Sequence, residues 1–173
     1  AKQLFNMTPQ SFNELPEKEA FDSLFACCRS TNWASRMAGC RPFTTLDDLK
    51  TTADRIWGET TETDWLEAFT HHPKIGDTES LKKKFAATAA WASSEQSAVQ
   101  EAGMEVLEKL AQGNRDYKEK FGFIFIVCAT GKTAPEMLDL LEARIPNQKD
   151  EELRIAAGEQ HKITHIRIDK LFA

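Results

Sequence analysis

The sequence predicts an all-α, single-domain helical bundle of roughly eight or more helices. Three observations carry that reading. Apolar residues recur at helical spacing along most of the chain. Helix-start signals, a Thr or Ser with an acid or amide three residues on, or Thr-Pro, stand in front of those stripes. No stretch shows a convincing strand alternation, and there is no internal repeat or low-complexity tract.

Each element follows from local chemistry. Thr8-Pro9 is an N-cap with proline at the first helical position, opening a short helix over 9–14. Leu15-Pro16 starts a second, with Ala20, Phe21, Leu24 and Phe25 on one face as far as Cys28. Thr31 or Asn32 caps a third carrying Trp33 and Met37, ending before Gly39. Arg41-Pro42 is a turn. Thr45 with Asp48 has capping-box spacing; its helix buries Leu46, Leu49, Ala53, Ile56 and Trp57, and Gly58 ends it. Thr61 or Thr63 begins the helix that leads to His72. A short helix is expected over 78–84, with Lys82-Lys83-Lys84 on a solvated face. A long one runs from near Ser93 to Ala111, ending at Gly113, with Val99, Ala102, Gly103, Val106, Leu107 and Leu110 inward. After Gly131, a helix over 134–144 buries Met137, Leu138 and Leu141, and Pro146 ends it. The last spans 149–171, with Leu153, Ala156, Ala157, Ile163 and Ile166 inward.

A length of 173 residues suits one domain over the whole chain, 1–173, with a real core. With 41% hydrophobic and 28% charged residues it is an ordinary globular chain, not a disordered one. The net charge of -5 and the lack of a basic run exclude a nucleic-acid footprint. An anionic substrate therefore needs a local cationic pocket. Cys27, Cys28, Cys40 and Cys128 form no CxxC pair and have apolar neighbours, which suggests buried free thiols in a reducing compartment. No basic-then-apolar leader, no apolar run of spanning length and no Ser-Lys-Leu ending are seen, so a cytoplasmic protein without a membrane partner is expected.

The stretch 64–77, Asp-Trp-Leu-Glu-Ala-Phe-Thr-His-His-Pro-Lys-Ile-Gly-Asp, stands out for chemistry. Proline disfavours the α conformation before it, so His72 is expected to be extended at a helix end. An imidazole held there can carry a proton near neutral pH; the alternative is a packed residue or a helix-dipole partner. Glu95 lies four residues before Val99 and seven before Ala102, on the apolar stripe, where an unpaired carboxylate costs several kcal/mol, roughly. Gln96 sits at its edge. Ser93 and Gln96 also have capping-box spacing, so both readings of Glu95 stay open. The uncharged stretch 121–130 is either a buried helix or a semi-extended pocket wall, and Gly122 between two phenylalanines marks a break or a close approach.

Three lookalikes are set aside. Ala129-Thr130-Gly131-Lys132-Thr133 resembles the end of a P-loop, but Ile126 stands where its first glycine belongs. His161 and His165 are one helical turn apart, yet Lys162 replaces the zincin glutamate and a third ligand would have to come from His71, His72 or an acid elsewhere; a solvated face is expected. Cys27-Cys28 has no electropositive setting.

Taken in order, Trp65-Leu66, His72-Pro73, Ser94-Glu95-Gln96, Lys120-Phe121-Gly122-Phe123 and Glu152-Leu153-Arg154 with Glu159, Ile163 and Arg167 resemble the OHCU decarboxylases. These enzymes act on 2-oxo-4-hydroxy-4-carboxy-5-ureidoimidazoline in urate breakdown. The likeness covers nearly the whole chain, and the stretch Lys120 to Ala129 and the final helix look especially like the decarboxylase half of plant two-domain allantoin synthases. It implies an all-helical homodimer without cofactor or metal that yields (S)-allantoin. It also implies that His72 and Glu95 are catalytic. Pro73, Ala92, Ser93, Ser94, Gln96, Phe125, Ile126, Val127, Cys128, Ala129 and Arg167 would contact the anionic substrate. Phe121, Phe123 and Phe125 would give dry walls. The chain departs from many relatives at Ile124, Ala92 and Lys74-Ile75. The competing readings are a metal-dependent hydrolase using His72 with His161 or His165, and a non-catalytic helical interaction module.

Overall fold

The computed structural model describes residues 7–72, 79, 81–82 and 97–173. Among them are eight helices and no strand: α1 Pro9–Asn13, α2 Glu17–Cys27, α3 Thr31–Gly39, α4 Leu46–Glu59, α5 Glu62–Thr70, α6 Ser97–Phe121, α7 Ala134–Arg144 and α8 Lys149–Leu171. No described helix is long and apolar enough to cross a membrane. The chain divides into two compact units, one of residues 1–71 with 157–173 and one of residues 72–156.

In the first unit, caps set the helix starts. Thr8 caps α1, and Thr61 with Asp64 forms a capping box at α5. The cap of α3 is Ser30, one residue earlier than the Thr31 or Asn32 expected, its hydroxyl accepting from Trp33 N at 3.3 Å. Thr45 caps α4 by accepting from Asp48 N, while the Asp48 carboxylate reaches one residue further back than a capping box would, to Thr44 N at 3.1 Å. Gly58 lies inside α4, which continues to Glu59.

Buried side chains tie these helices together. Trp33 and Trp57 are both buried, and their indole N–H groups donate to Ala53 O at 3.3 Å and Ala157 O at 3.1 Å. A buried indole needs such a partner to keep its polar handle satisfied. Glu67 accepts from Thr31 N and Oγ1 at 2.8 and 2.6 Å, placing a carboxylate at the start of α3, where the helix dipole favours it. Arg41 donates to Phe12 O, Asn13 O and Leu15 O, at and just past the end of α1, where carbonyls lack intrahelical partners.

In the second unit α6 packs on α7. The helix α6 does not stop at Gly113 as expected but runs on to Phe121. A Cβ at Gly113 would come within 2.5 Å of Leu141 Cδ2, so the glycine admits a neighbouring side chain instead of ending the helix. The segment 122–133 joins the two helices without regular structure, and Gly122 and Gly131 at its ends have φ of +81° and +75°.

The helix α8 has the expected bounds and buries Leu153, Ala156 and Ala157 as expected, but its inner face departs from expectation further along. Glu152, Ala156, Gln160, Thr164 and Ile168, spaced by four, are all buried, whereas Ile163 and Ile166 are half-buried. The helix expected over 78–84 falls largely outside the described residues; Glu79, Leu81 and Lys82 are helical.

Candidate functional site

The expected site residues Glu95, Gln96, Pro73, Ala92, Ser93 and Ser94 lie outside the described residues. His72, the stretch from Phe125 to Ala129, and Arg167 lie within them. The helix α5 ends at His71, which is its C-cap, and His71 N–H donates to Ala68 O at 3.4 Å. His71 is exposed and meets the Phe25 ring edge-on at 5.9 Å. His72 is non-helical and half-buried.

The stretch 121–130 leaves the helix after Phe121 and has no regular structure, which rules out the buried-helix alternative. The three phenylalanines differ. Phe121 and Phe123 are buried against Tyr117 at 4.6 and 5.8 Å. Phe125 is only half-buried, and its ring lies 4.6 Å beneath the Arg144 guanidinium.

Arg144 fixes this stretch. Its Nη1 donates to Ile126 O at 2.7 Å, and its Nε and Nη2 hold Glu152 Oε1 at 2.6 and 2.5 Å. Glu152 is fully buried and also accepts from Tyr117 O–H at 2.5 Å and Asn147 Nδ2 at 3.0 Å. Burial, then the Glu152 hydrogen bond, pushes the Tyr117 phenol well above its ordinary value. Two residues further along, Lys132 Nζ donates to Cys128 O at 2.8 Å.

Because each peptide is planar and trans, the N–H of the following residue points opposite to a fixed carbonyl. Arg144 and Lys132 therefore turn the amides of Val127 and Ala129 away from themselves. Among the described residues, no amide from Ile124 to Ala129 donates to a backbone carbonyl.

Arg167 belongs to the first unit, where it is half-buried and donates to Cys27 O at 3.3 Å. Burial pushes the Cys27 and Cys28 thiols up to about 11, which fits inert core thiols and not a nucleophile. His161 and His165 depart from the solvated face expected for them. Both are half-buried, and the Nε2 of each stands 2.6 Å from Asp54 Oδ1.

The sequence profile of OHCU decarboxylases matches residues 13–169. The chain is a member of the OHCU decarboxylase family. A relative from Arabidopsis thaliana, the uric acid degradation bifunctional protein TTL, is 42% identical over 154 residues, 88% of this chain. This chain spans 47% of that protein's length. A 2-oxo-4-hydroxy-4-carboxy-5-ureidoimidazoline decarboxylase of Haloferax volcanii is 25% identical over 98% of this chain and 99% of its own length. Among solved structures, an OHCU decarboxylase crystallised in the presence of (S)-allantoin is similar with a TM-score of 0.70 and 43% identity, over 87% of this chain and 97% of that one. An (S)-allantoin synthase shares the fold at a TM-score of 0.70 and 19% identity, over 96% of this chain and 54% of that one.

Sequence reasoning missed the Arg144–Glu152–Tyr117 network of this OHCU decarboxylase family member. A signal was there: Met137, Leu141 and Arg144 fall on one helical stripe, as do Glu152 and Ala156.

Proposed function

We propose that this chain decarboxylates 2-oxo-4-hydroxy-4-carboxy-5-ureidoimidazoline to (S)-allantoin, in urate breakdown, without a cofactor. Family membership over residues 13–169 is the observation that carries the reading. One profile spans residues of both units, which supports treating the chain as one decarboxylase domain.

The reaction sets clear demands. The carbon–carbon bond to the carboxylate breaks and CO₂ departs. The electron pair left behind is delocalised into the ring and then captured by a proton on one face. His72 is the general acid in this reading, a role worth about 10²–10⁴-fold in rate. Its half-buried place beyond α5 supports that role. Glu95 holds the substrate hydroxyl or a ring N–H and orients the imidazole, and Pro73, Ala92, Ser93, Ser94 and Gln96 contact the substrate, the roles that the resemblance gives them.

The amides of the stretch Phe125 to Ala129 serve as donors to the charge that develops on the ring. Donors aimed at such charge contribute about 3 kcal/mol each. What supports this is the capture of Ile126 O by Arg144 and of Cys128 O by Lys132, which sets the direction of the amides that follow. Arg167 keeps the role of cation for the anionic substrate that the resemblance gives it. We propose a homodimer, which the resemblance implies, and a cytoplasmic location.

The test is to generate the unstable substrate enzymatically and follow optically active allantoin by circular dichroism. Parent protein should accelerate its appearance. His72→Ala should lower kcat/KM by roughly 10²-fold or more, the share of one general acid, and Glu95→Gln should also slow turnover. Parent-like rates in both variants would remove these roles, and no acceleration by the parent would remove the activity.

A further inference from the structure

Two histidines and one carboxylate that the decarboxylation does not use meet between α4 and α8. Asp54 Oδ1 stands 2.6 Å from His161 Nε2 and 2.6 Å from His165 Nε2. The donor atoms of the three residues all lie within 4.8 Å of one another. The histidines are one turn apart on α8, so their rings leave the same face, and they meet edge-on at 4.6 Å between centroids. The His161 ring is also stacked on Trp57, 6.2 Å away and 5° from parallel, which fixes its plane. We infer that Asp54, His161 and His165 form a binding site for a divalent first-row transition ion, Zn²⁺ foremost, that fastens α4 to α8.

The chemistry of the set argues for this class of ion. Two imidazoles and one carboxylate suit Zn²⁺, Co²⁺, Ni²⁺ and Cu²⁺, and do not suit Ca²⁺ or Mg²⁺, which take oxygen ligands. Zinc sits about 2.0–2.1 Å from such nitrogens and oxygens, so neighbouring ligand atoms stand about 3.0–3.4 Å apart. From 2.6 Å, the carboxylate oxygen has to retreat by less than an ångström. It is free to do so, because the Asp54 side chain is 56% exposed, and that exposure also gives an ion its way in. Water completes the coordination.

Proton placement limits the affinity. To ligate through Nε2, each ring carries its proton on Nδ1. The Nδ1 of His161 is buried and has no hydrogen-bond partner among the described residues. An orphaned buried N–H weakens binding by roughly 10–100-fold against a site with a complete outer shell. Micromolar rather than nanomolar binding follows.

The experiment uses tag-free full-length protein, titrated with Zn²⁺ by calorimetry and with Co²⁺ by visible absorption. One equivalent of each ion should bind, Co²⁺ with d–d bands shifted from those of the aqueous ion, and Zn²⁺ should raise Tm. Asp54→Ala and His165→Ala should each weaken binding at least about tenfold and remove the Tm rise. The decarboxylase rate should be unchanged in both. His71→Ala should bind as the parent does. Since Asp54 is largely exposed, its variant keeps the fold and decides the matter even if His165→Ala does not. Absence of saturable binding below about 1 mM, equal affinity in parent and Asp54→Ala, or loss of binding in His71→Ala would each overturn the assignment.

Discussion

Replacing Arg144 by methionine tests whether one buried guanidinium holds the stretch from Phe125 to Ala129. The substitution keeps most of the side-chain volume and removes every donor. Two groups then lose their partner. Ile126 O, on a residue that is 2% exposed, loses its 2.7 Å bond; an unsatisfied buried carbonyl costs about 1–3 kcal/mol. Glu152, fully buried, loses its only cation among the described residues and keeps Tyr117 and Asn147. Breaking a buried pair from one side typically costs about 3–5 kcal/mol, and that is the expected fall in unfolding free energy by urea titration. The double variant Arg144→Met/Glu152→Leu removes both charges, so it should recover much of the loss, leaving a coupling of about 2–4 kcal/mol in the mutant cycle. At temperatures where Arg144→Met stays folded, kcat/KM should drop by roughly tenfold or more, because a displacement of about 1 Å in a positioned group is enough for that. A single-variant loss below about 1 kcal/mol, or purely additive effects, would refute the view that this pair anchors the stretch.

Gly113→Ala should destabilise by about 1–3 kcal/mol, seen as a lower Tm, because the new methyl meets buried Leu141 at 2.5 Å and this overpacking outweighs the gain in helix propensity. With native protein, a thiol reagent at pH 8 should modify Cys40 quickly and Cys27, Cys28 and Cys128 only on unfolding, since Cys40 alone of the four is exposed; Cys40→Ser should abolish the fast phase. Tyr117 is the sole tyrosine, so phenolate absorbance reports it alone. Its folded pKa is raised above the ordinary 10.0, so the folded chain holds the proton that the unfolded chain loses. The associated stability is complete below pH 10 and declines above it by about 1.4 kcal/mol per pH unit. Phenolate should therefore appear near pH 10 in urea, and in buffer only at higher pH together with unfolding.

Much of the fold is written in local signals. Thr133-Ala134-Pro135 and Ile145-Pro146 bracket α7, and both its bounds and those of α8 agree with expectation. Where the reading failed, a distant contact overrode the local cue. Gly113 looks like a terminator until Leu141 is seen pressing on it. Ile163 and Ile166 look like core, yet the buried ladder of α8 runs through Gln160 and Thr164, which bond to each other at 3.1 Å. Of the candidate site, the break in the helix before His72 and the break at Gly122 were legible. The ion pair of Arg144 with Glu152 was not, because it joins two different helices and no local spacing announces it.

The fit of Leu141 against Gly113 also constrains how this pair can change over time. A side chain at 113 is compatible with the helix pair only if the leucine opposite shrinks. Homologues carrying alanine at 113 should therefore have valine or alanine at 141, and the engineered pair Gly113→Ala/Leu141→Ala should be more stable than the sum of its single changes implies.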